Sequence, residues 1–243
     1  YLCTRPEVDR DKIGVTGCSG GGTQTSMVML CDPRIAAAAP AAFIMNRESY
    51  MDAGQAQDAE QIWTGMTKLG FDHEDILMAI APKPLLVLAA SYDFFPIEGT
   101  RRTVERTKRF WEMFGKADNF EYFEDASRHT YSVPMVKKAA AFFSKHLLGK
   151  PLDCTWEGIA PIDPKQLWCT QTGQVRGDYA DVRGVHEENK ERLAELEQAA
   201  AAKSDARRKE EALAWLRGKV YGERKPCLLN PRRLALGKLE NGL

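Results

Sequence analysis

Up to residue 150 the chain alternates short apolar runs with stretches of helical spacing, the pattern of a parallel sheet wrapped by helices. Residues 13–16 read as the first strand, bounded by charge before and glycine after. Residues 36–43 follow a Cys-Asp-Pro-Arg turn and read as a second, fully buried strand; their alanines alone would equally suit a helix, and Pro40 tips the reading away from one. Pro82 and Pro84 bracket the start of residues 85–90, Leu-Leu-Val-Leu-Ala-Ala, a continuous hydrophobic run of the kind buried on both faces of a sheet. An amphipathic helix over 103–114 ends near Gly115, residues 119–123 alternate as a fourth strand, and a helix over 135–148 is closed by Gly149 and Pro151. The fold class this predicts is α/β.

Past Pro151 the periodicity fades. Residues 151–186 read as a loop-rich connector that packs on the first part, and residues 187–243 as a charged helical appendage. Within it, charges interleave with Leu193, Leu196, Leu213, Leu216 and Val220, giving a helix or helix pair with a thin apolar stripe. The heptad fails around 203–209, so a solvated helical face is expected rather than a coiled coil.

Composition narrows the partners. Lys plus Arg and Asp plus Glu both number 34, so no net field recruits nucleic acid or an anionic membrane, and a small or neutral substrate is favoured. The longest apolar run, 35–45, is broken by Pro40 and is far shorter than the roughly 18 residues of a membrane span. The six cysteines, at 3, 18, 31, 154, 169 and 227, form no CxxC pair, so no metal site is expected. A Cys154–Cys169 bridge stays open as an alternative, since both residues lie in the loop-rich stretch.

Against this background one stretch carries chemistry. Gly17-Cys18-Ser19-Gly20-Gly21 fits G-x-S-x-G between a predicted strand and a predicted helix, the context in which a serine is held on a sharp turn. Glycines at 17 and 21 are expected to let that turn close. No Lys follows them, so a nucleotide-binding loop is not indicated. A serine hydroxyl needs a base, and the base needs an acid to orient it. In a parallel sheet these should follow in the order Ser, acid, His, each beyond the carboxyl end of a strand. Asp93 follows the 85–90 strand and His129 follows the 119–123 strand. Glu98 and Asp125 are the other acids near strand ends, with Glu98 expected to start a helix. Of the remaining histidines, His146 is explained by the dipole at a helix end, His73 reads as a capping or solvated residue, and His186 lies in the connector. Cys18, beside the nucleophile, reads as a small packing residue rather than a reactive thiol.

Residues 9–150 resemble the C-terminal half of an α/β-hydrolase of the prolyl-oligopeptidase and acetyl-xylan-esterase-like kind. The matching stretches are "DRDKIGVTGCSGGGTQT", "DPRIAAAAPAAFI", "APKPLLVLAASYDFFPIEGT" and "RHTYS". The resemblance implies Ser19, Asp93 and His129 as a catalytic triad and the Gly20 backbone N–H as one oxyanion donor. It implies no metal or organic cofactor. Oligopeptidases of this kind usually carry an aromatic residue after the serine; Gly20 stands there instead, which favours an esterase, with acetylated carbohydrate as a candidate substrate class. A serine peptidase and a non-catalytic binding module are the alternatives. Only twelve residues precede Ile13, so the resemblance also leads one to expect truncation at the N-terminus, with the second oxyanion donor outside the chain, and a C-terminus that is cut as well.

Overall fold

The computed structural model describes residues 1–54, 57–152, 160, 162–220 and 222. The chain divides into two units, Tyr1–Glu157 and Gly158–Leu243. The first holds β1 (Ile13–Cys18), α1 (Gly20–Cys31), β2 (Ile35–Ala41), α2 (Arg47–Asp52), α3 (Met66–Leu69), α4 (His73–Met78), β3 (Leu85–Tyr92), α5 (Ile97–Met113), β4 (Phe120–Arg128) and α6 (Val133–Phe143). Its strands form one sheet in the order β1-β2-β3-β4, parallel throughout.

Each face of the sheet is buried by different residues of the same strands. Leu85 and Val87 point to a core with Trp111 and Val104 of α5 and Ile76 and Leu77 of α4. Leu86, Leu88 and Ala90 point the other way, onto Met135, Ala139 and Phe142 of α6. A strand buried on both faces needs no polar alternation, which is why β3 reads as one apolar run. In β2 the small alanines let α1 approach closely, with a Cβ on Gly22 falling 2.6 Å from the Ala41 carbonyl oxygen. Pro40 sits inside this strand opposite Gly17. Ala38 and Ala42 donate their N–H groups to Pro84 and Leu88 beside them. Pro40 lies between those two donors on the same side and has no N–H, so the β2–β3 ladder is interrupted there.

Several boundaries differ from expectation. β2 stops at Ala41 because Ala42 turns into the left-handed region, with φ 46°. β4 runs to Arg128 instead of 123: its second half, Glu124–Arg128, is polar because this strand lies at the edge of the described sheet and is only partly covered. The helix expected from 103 begins at Ile97, and the one expected from 135 begins at Val133, where Ser132 accepts from the Met135 N–H; its last residues, Ser144–Leu148, widen into a π turn. Three short helices between β2 and β3 were not legible as helices at all, being four to six residues long.

One histidine reading needs correction. His73 is neither solvated nor a cap: it is completely buried at the first position of α4, behind the capping residue Asp72. Its ring lies 4.7 Å from that of Phe43, and its Nδ1 accepts from the Met45 N–H at 3.3 Å. Burial, with Arg47 adding to it, pushes its pKa down to about 3. His146 does stand in the last turn of its helix, as expected, where burial first and Lys145 second hold its pKa below the usual histidine value.

His73 predicts an acid-sensitive fold. Between the ordinary histidine pKa and about 3, the unfolded chain binds a proton that the folded chain refuses, so stability is lost as pH falls from about 6.5. At pH 5 the loss from this residue should be roughly 2 kcal/mol. His73→Asn keeps an acceptor for Met45 and removes the titration. Its urea-unfolding free energy should differ less between pH 8 and pH 5 than that of the wild type; an unchanged acid dependence would assign the effect elsewhere.

The second unit is helical. It contains α7 (Val175–Asp178), α8 (Val185–Ala201) and α9 (Asp205–Trp215). The stretch expected as a helix or helix pair is a pair, parted at Ser204, whose hydroxyl caps α9 by accepting from the Arg207 N–H. Leu193, Leu196 and Leu213 are exposed within this unit. Cys154 and Cys227 lie outside the described residues, and with Cys154 the bridge considered to Cys169. Among the described residues no helix is long and apolar enough to cross a membrane.

Candidate active site

All four strands are parallel, so the segments that follow them emerge at one edge of the sheet. Ser19 follows β1, Asp93 follows β3 and His129 follows β4, each immediately after the last residue of its strand.

Ser19 sits at φ 59°, ψ −119°, a conformation that an L-residue adopts only when its surroundings impose it. Two contacts show how it is imposed. The Ser19 N–H donates to Ala41 at the end of β2, and α1 begins directly at Gly20. The glycines around it act differently from each other. A Cβ on Gly17 would stand 2.5 Å from the Gly21 carbonyl oxygen, and one on Gly22 would stand 2.6 Å from that of Ala41, so both positions need glycine for close backbone approach. A Cβ on Gly21 would meet nothing within 4 Å. The expectation that Gly17 and Gly21 close the turn therefore holds for Gly17, while Gly22, which the motif does not include, takes the other part.

Asp93 and His129 are brought into contact. The imidazole Nδ1 lies 2.9 Å from each carboxylate oxygen of Asp93. The Asp93 side chain is 2% exposed and that of His129 26%. Asp93 also accepts from the Phe95 N–H at 3.2 Å. A carboxylate at Nδ1 favours the tautomer with its proton there, which leaves Nε2 as the basic nitrogen. Among the described residues no hydrogen bond joins the Ser19 hydroxyl to that ring; in unliganded sites such bonds are often long. The other two acids are elsewhere: Glu98 lies in the first turn of α5, and Asp125 lies within β4, its pKa lowered by the neighbouring Ser132 first and Ser127 second.

Two features were not read from the sequence. Phe94 and Phe95 face the His129 ring with centroids 4.3 and 5.7 Å away. The only signal was an aromatic pair directly after Asp93. The Glu60 carboxylate lies against Gly20, 2.8 Å from where a Cβ would stand. Glu60 is an exposed, flexible side chain whose end can swing aside, so this contact alone does not demand glycine after the serine. Gly20 is also the first residue of α1, so its N–H has no acceptor within the helix and is free to face an anion.

Cys18 packs against the apolar cluster on the α6 side of the sheet. Burial raises its thiol pKa, and the Asp93 charge adds to the rise, so the thiolate a nucleophile would need is disfavoured. Among the described residues no group of three or more His, Cys, Asp or Glu side chains is arranged to hold a metal ion.

No protein-family model matches the chain. It is similar to 4-O-methyl-glucuronoyl methylesterase 1 of Sodiomyces alcalophilus, 27% identical over 167 residues that cover 58% of this chain and 34% of that one. It is 25% identical to the 4-O-methyl-glucuronoyl methylesterase of Podospora anserina, over 58% of this chain and 35% of that one. The chain thus spans about a third of the length of these curated relatives. Among solved structures it resembles the glucuronoyl esterase from Solibacter usitatus, with a TM-score of 0.50 and 17% identity over 60% of this chain and 45% of that one. At such identity the likeness is one of fold: a parallel four-stranded sheet flanked by helices, an α/β fold shared with that esterase.

Proposed function

We propose that this chain carries the catalytic residues of a serine hydrolase that acts by acyl transfer on carboxylic esters of carbohydrates. The observation that supports it most is the Asp93–His129 pair, built at the same sheet edge as a serine held in a left-handed turn. In this reading Ser19 Oγ attacks the ester carbonyl while His129 Nε2 takes its proton, and the oxyanion that forms is met by the Gly20 N–H. His129 then returns the proton to the leaving alcohol, and water repeats the sequence to release the acid.

The relatives named for 4-O-methyl-glucuronoyl methyl esters favour a particular orientation of the substrate. In such an ester the sugar is the acyl part and methanol leaves. In an acetylated sugar, by contrast, acetate is the acyl part and the sugar leaves. The acyl pocket would therefore have to hold a pyranose in the first case and only a methyl group in the second. We take the first as the substrate class, a neutral alkyl ester of a uronic acid.

Turnover of methyl glucuronate, an acetylated xylose and a prolyl p-nitroanilide by the chain decides among the readings. The uronate ester should be favoured in kcat/KM over the acetyl sugar by about tenfold or more, with the anilide slower still. Preference for the acetyl sugar would reverse the orientation, and preference for the anilide would make the enzyme a peptidase.

A further inference from the structure

β1 and β4 are the two ends of the sheet, with β2 and β3 between them. The serine and the histidine therefore follow strands that share no hydrogen-bond ladder. Asp93, which follows β3, orients the imidazole at Nδ1, but it does not set how far the His129 segment lies from β1. One bond spans that gap directly. Thr16, three residues before Ser19, and Tyr131, two residues after His129, have their hydroxyl oxygens 2.7 Å apart.

The direction of this bond follows from the rest of the network. The Thr16 hydroxyl donates its single proton to the Ala39 carbonyl in β2, at 2.6 Å, so it accepts from the Tyr131 phenol. Ala39 is also the register partner of Thr16, which makes the acceptor part of the sheet frame. The Tyr131 ring is held as well, packed against the cluster of Ala37, Ala39 and Met135 on the α6 side. Its neighbour Ser132 caps α6, so the short segment from His129 to α6 is fixed at both ends.

We propose that Tyr131 is a positioning residue, holding the His129 segment at working distance from Ser19 through its hydroxyl bond to Thr16. The inference rests on the acyl-transfer reading above and adds a part to the same site. A displacement of about 1 Å in such a pair can cost as much as 10²-fold in rate, and a partly exposed tether should account for less than that.

The test is Ser19-dependent hydrolysis of a methyl glucuronate or p-nitrophenyl ester by Tyr131→Phe, Thr16→Val, the double variant and Thr16→Ser. Tyr131→Phe should lower kcat by about tenfold with KM within about twofold and little change in melting temperature. Thr16→Val should match it, the double variant should be no slower than the slower single one, and Thr16→Ser, which keeps the hydroxyl, should restore most of the rate. Wild-type turnover in Tyr131→Phe, or losses that multiply in the double variant, would overturn the tether while leaving the acyl-transfer reading in place. Turnover that persists in Ser19→Ala would remove that reading and the tether with it.

Discussion

Ser19→Ala is expected to lower kcat for ester hydrolysis by about 10⁶-fold, the scale on which loss of an activated serine is felt, and to abolish labelling by a fluorophosphonate. Ser19→Gly should lose activity to the same extent and yet be more stable than the wild type. The turn at Ser19 has φ 59° and ψ −119°, which strains any residue with a Cβ, whereas glycine occupies it freely. The gain should be about 1 kcal/mol in urea unfolding, with Ser19→Ala gaining nothing because alanine keeps the Cβ. That contrast separates two explanations of the turn. A strained serine retained for chemistry gives an inactive glycine variant that is more stable, while a glycine-rich loop with only a packing role gives variants that remain as active as the wild type. Labelling that survives in Ser19→Ala would place the nucleophile elsewhere and leave the chain as a binding module of hydrolase fold.

The order of the site was legible because parallel strands impose it. Once residues 13–16, 85–90 and 119–123 are read as strands of one parallel sheet, the residues that follow them must share an edge, and Ser19, Asp93 and His129 are the reactive groups placed there. Their local signals are strong: a serine between glycines, an acid after an apolar run, and a histidine with no helix to cap. Asp93 and His129 are found in contact as that order requires.

What stayed hidden has two physical causes. Contacts distant in sequence leave no local pattern, and Thr16 and Tyr131, 115 residues apart, are two ordinary hydroxyls until the fold brings them together. Gly22 is similar, since its need to lack a side chain comes from Ala41, the last residue of β2, and Phe43 just beyond it rather than from the motif. The second cause is that polarity was taken as exposure. The polar second half of β4 read as a loop because its alternation fails, and His73 read as solvated because it stands in Asp-His-Glu-Asp. His73 is held by tertiary burial and the second half of β4 by its pairing with β3, and each overrides the local text.

Asp93→Asn should lower kcat by about 10⁴-fold while leaving the fold intact, as replacing the orienting acid does in this kind of triad. The change is nearly isosteric, and the new side chain keeps an oxygen to accept from the Phe95 N–H, so the 93–95 turn has no reason to open. The loss comes from the proton on the imidazole. Asp93 can only accept, so Nδ1 facing it carries the hydrogen and Nε2 stays basic. An asparagine can turn its amide toward Nδ1 and donate, which moves the ring proton to Nε2 and leaves the serine facing a donor instead of a base. Glu98→Gln and Asp125→Asn serve as the comparison, because both acids stand near strand ends, one in the first turn of α5 and the other within β4. Their kcat values should stay within about twofold of wild type, as expected of residues outside a group that acts as a unit. A collapse of rate in Asp125→Asn with Asp93→Asn still active would move the orienting role to β4 itself, and would mean that the contact between Asp93 and His129 serves the fold rather than the reaction.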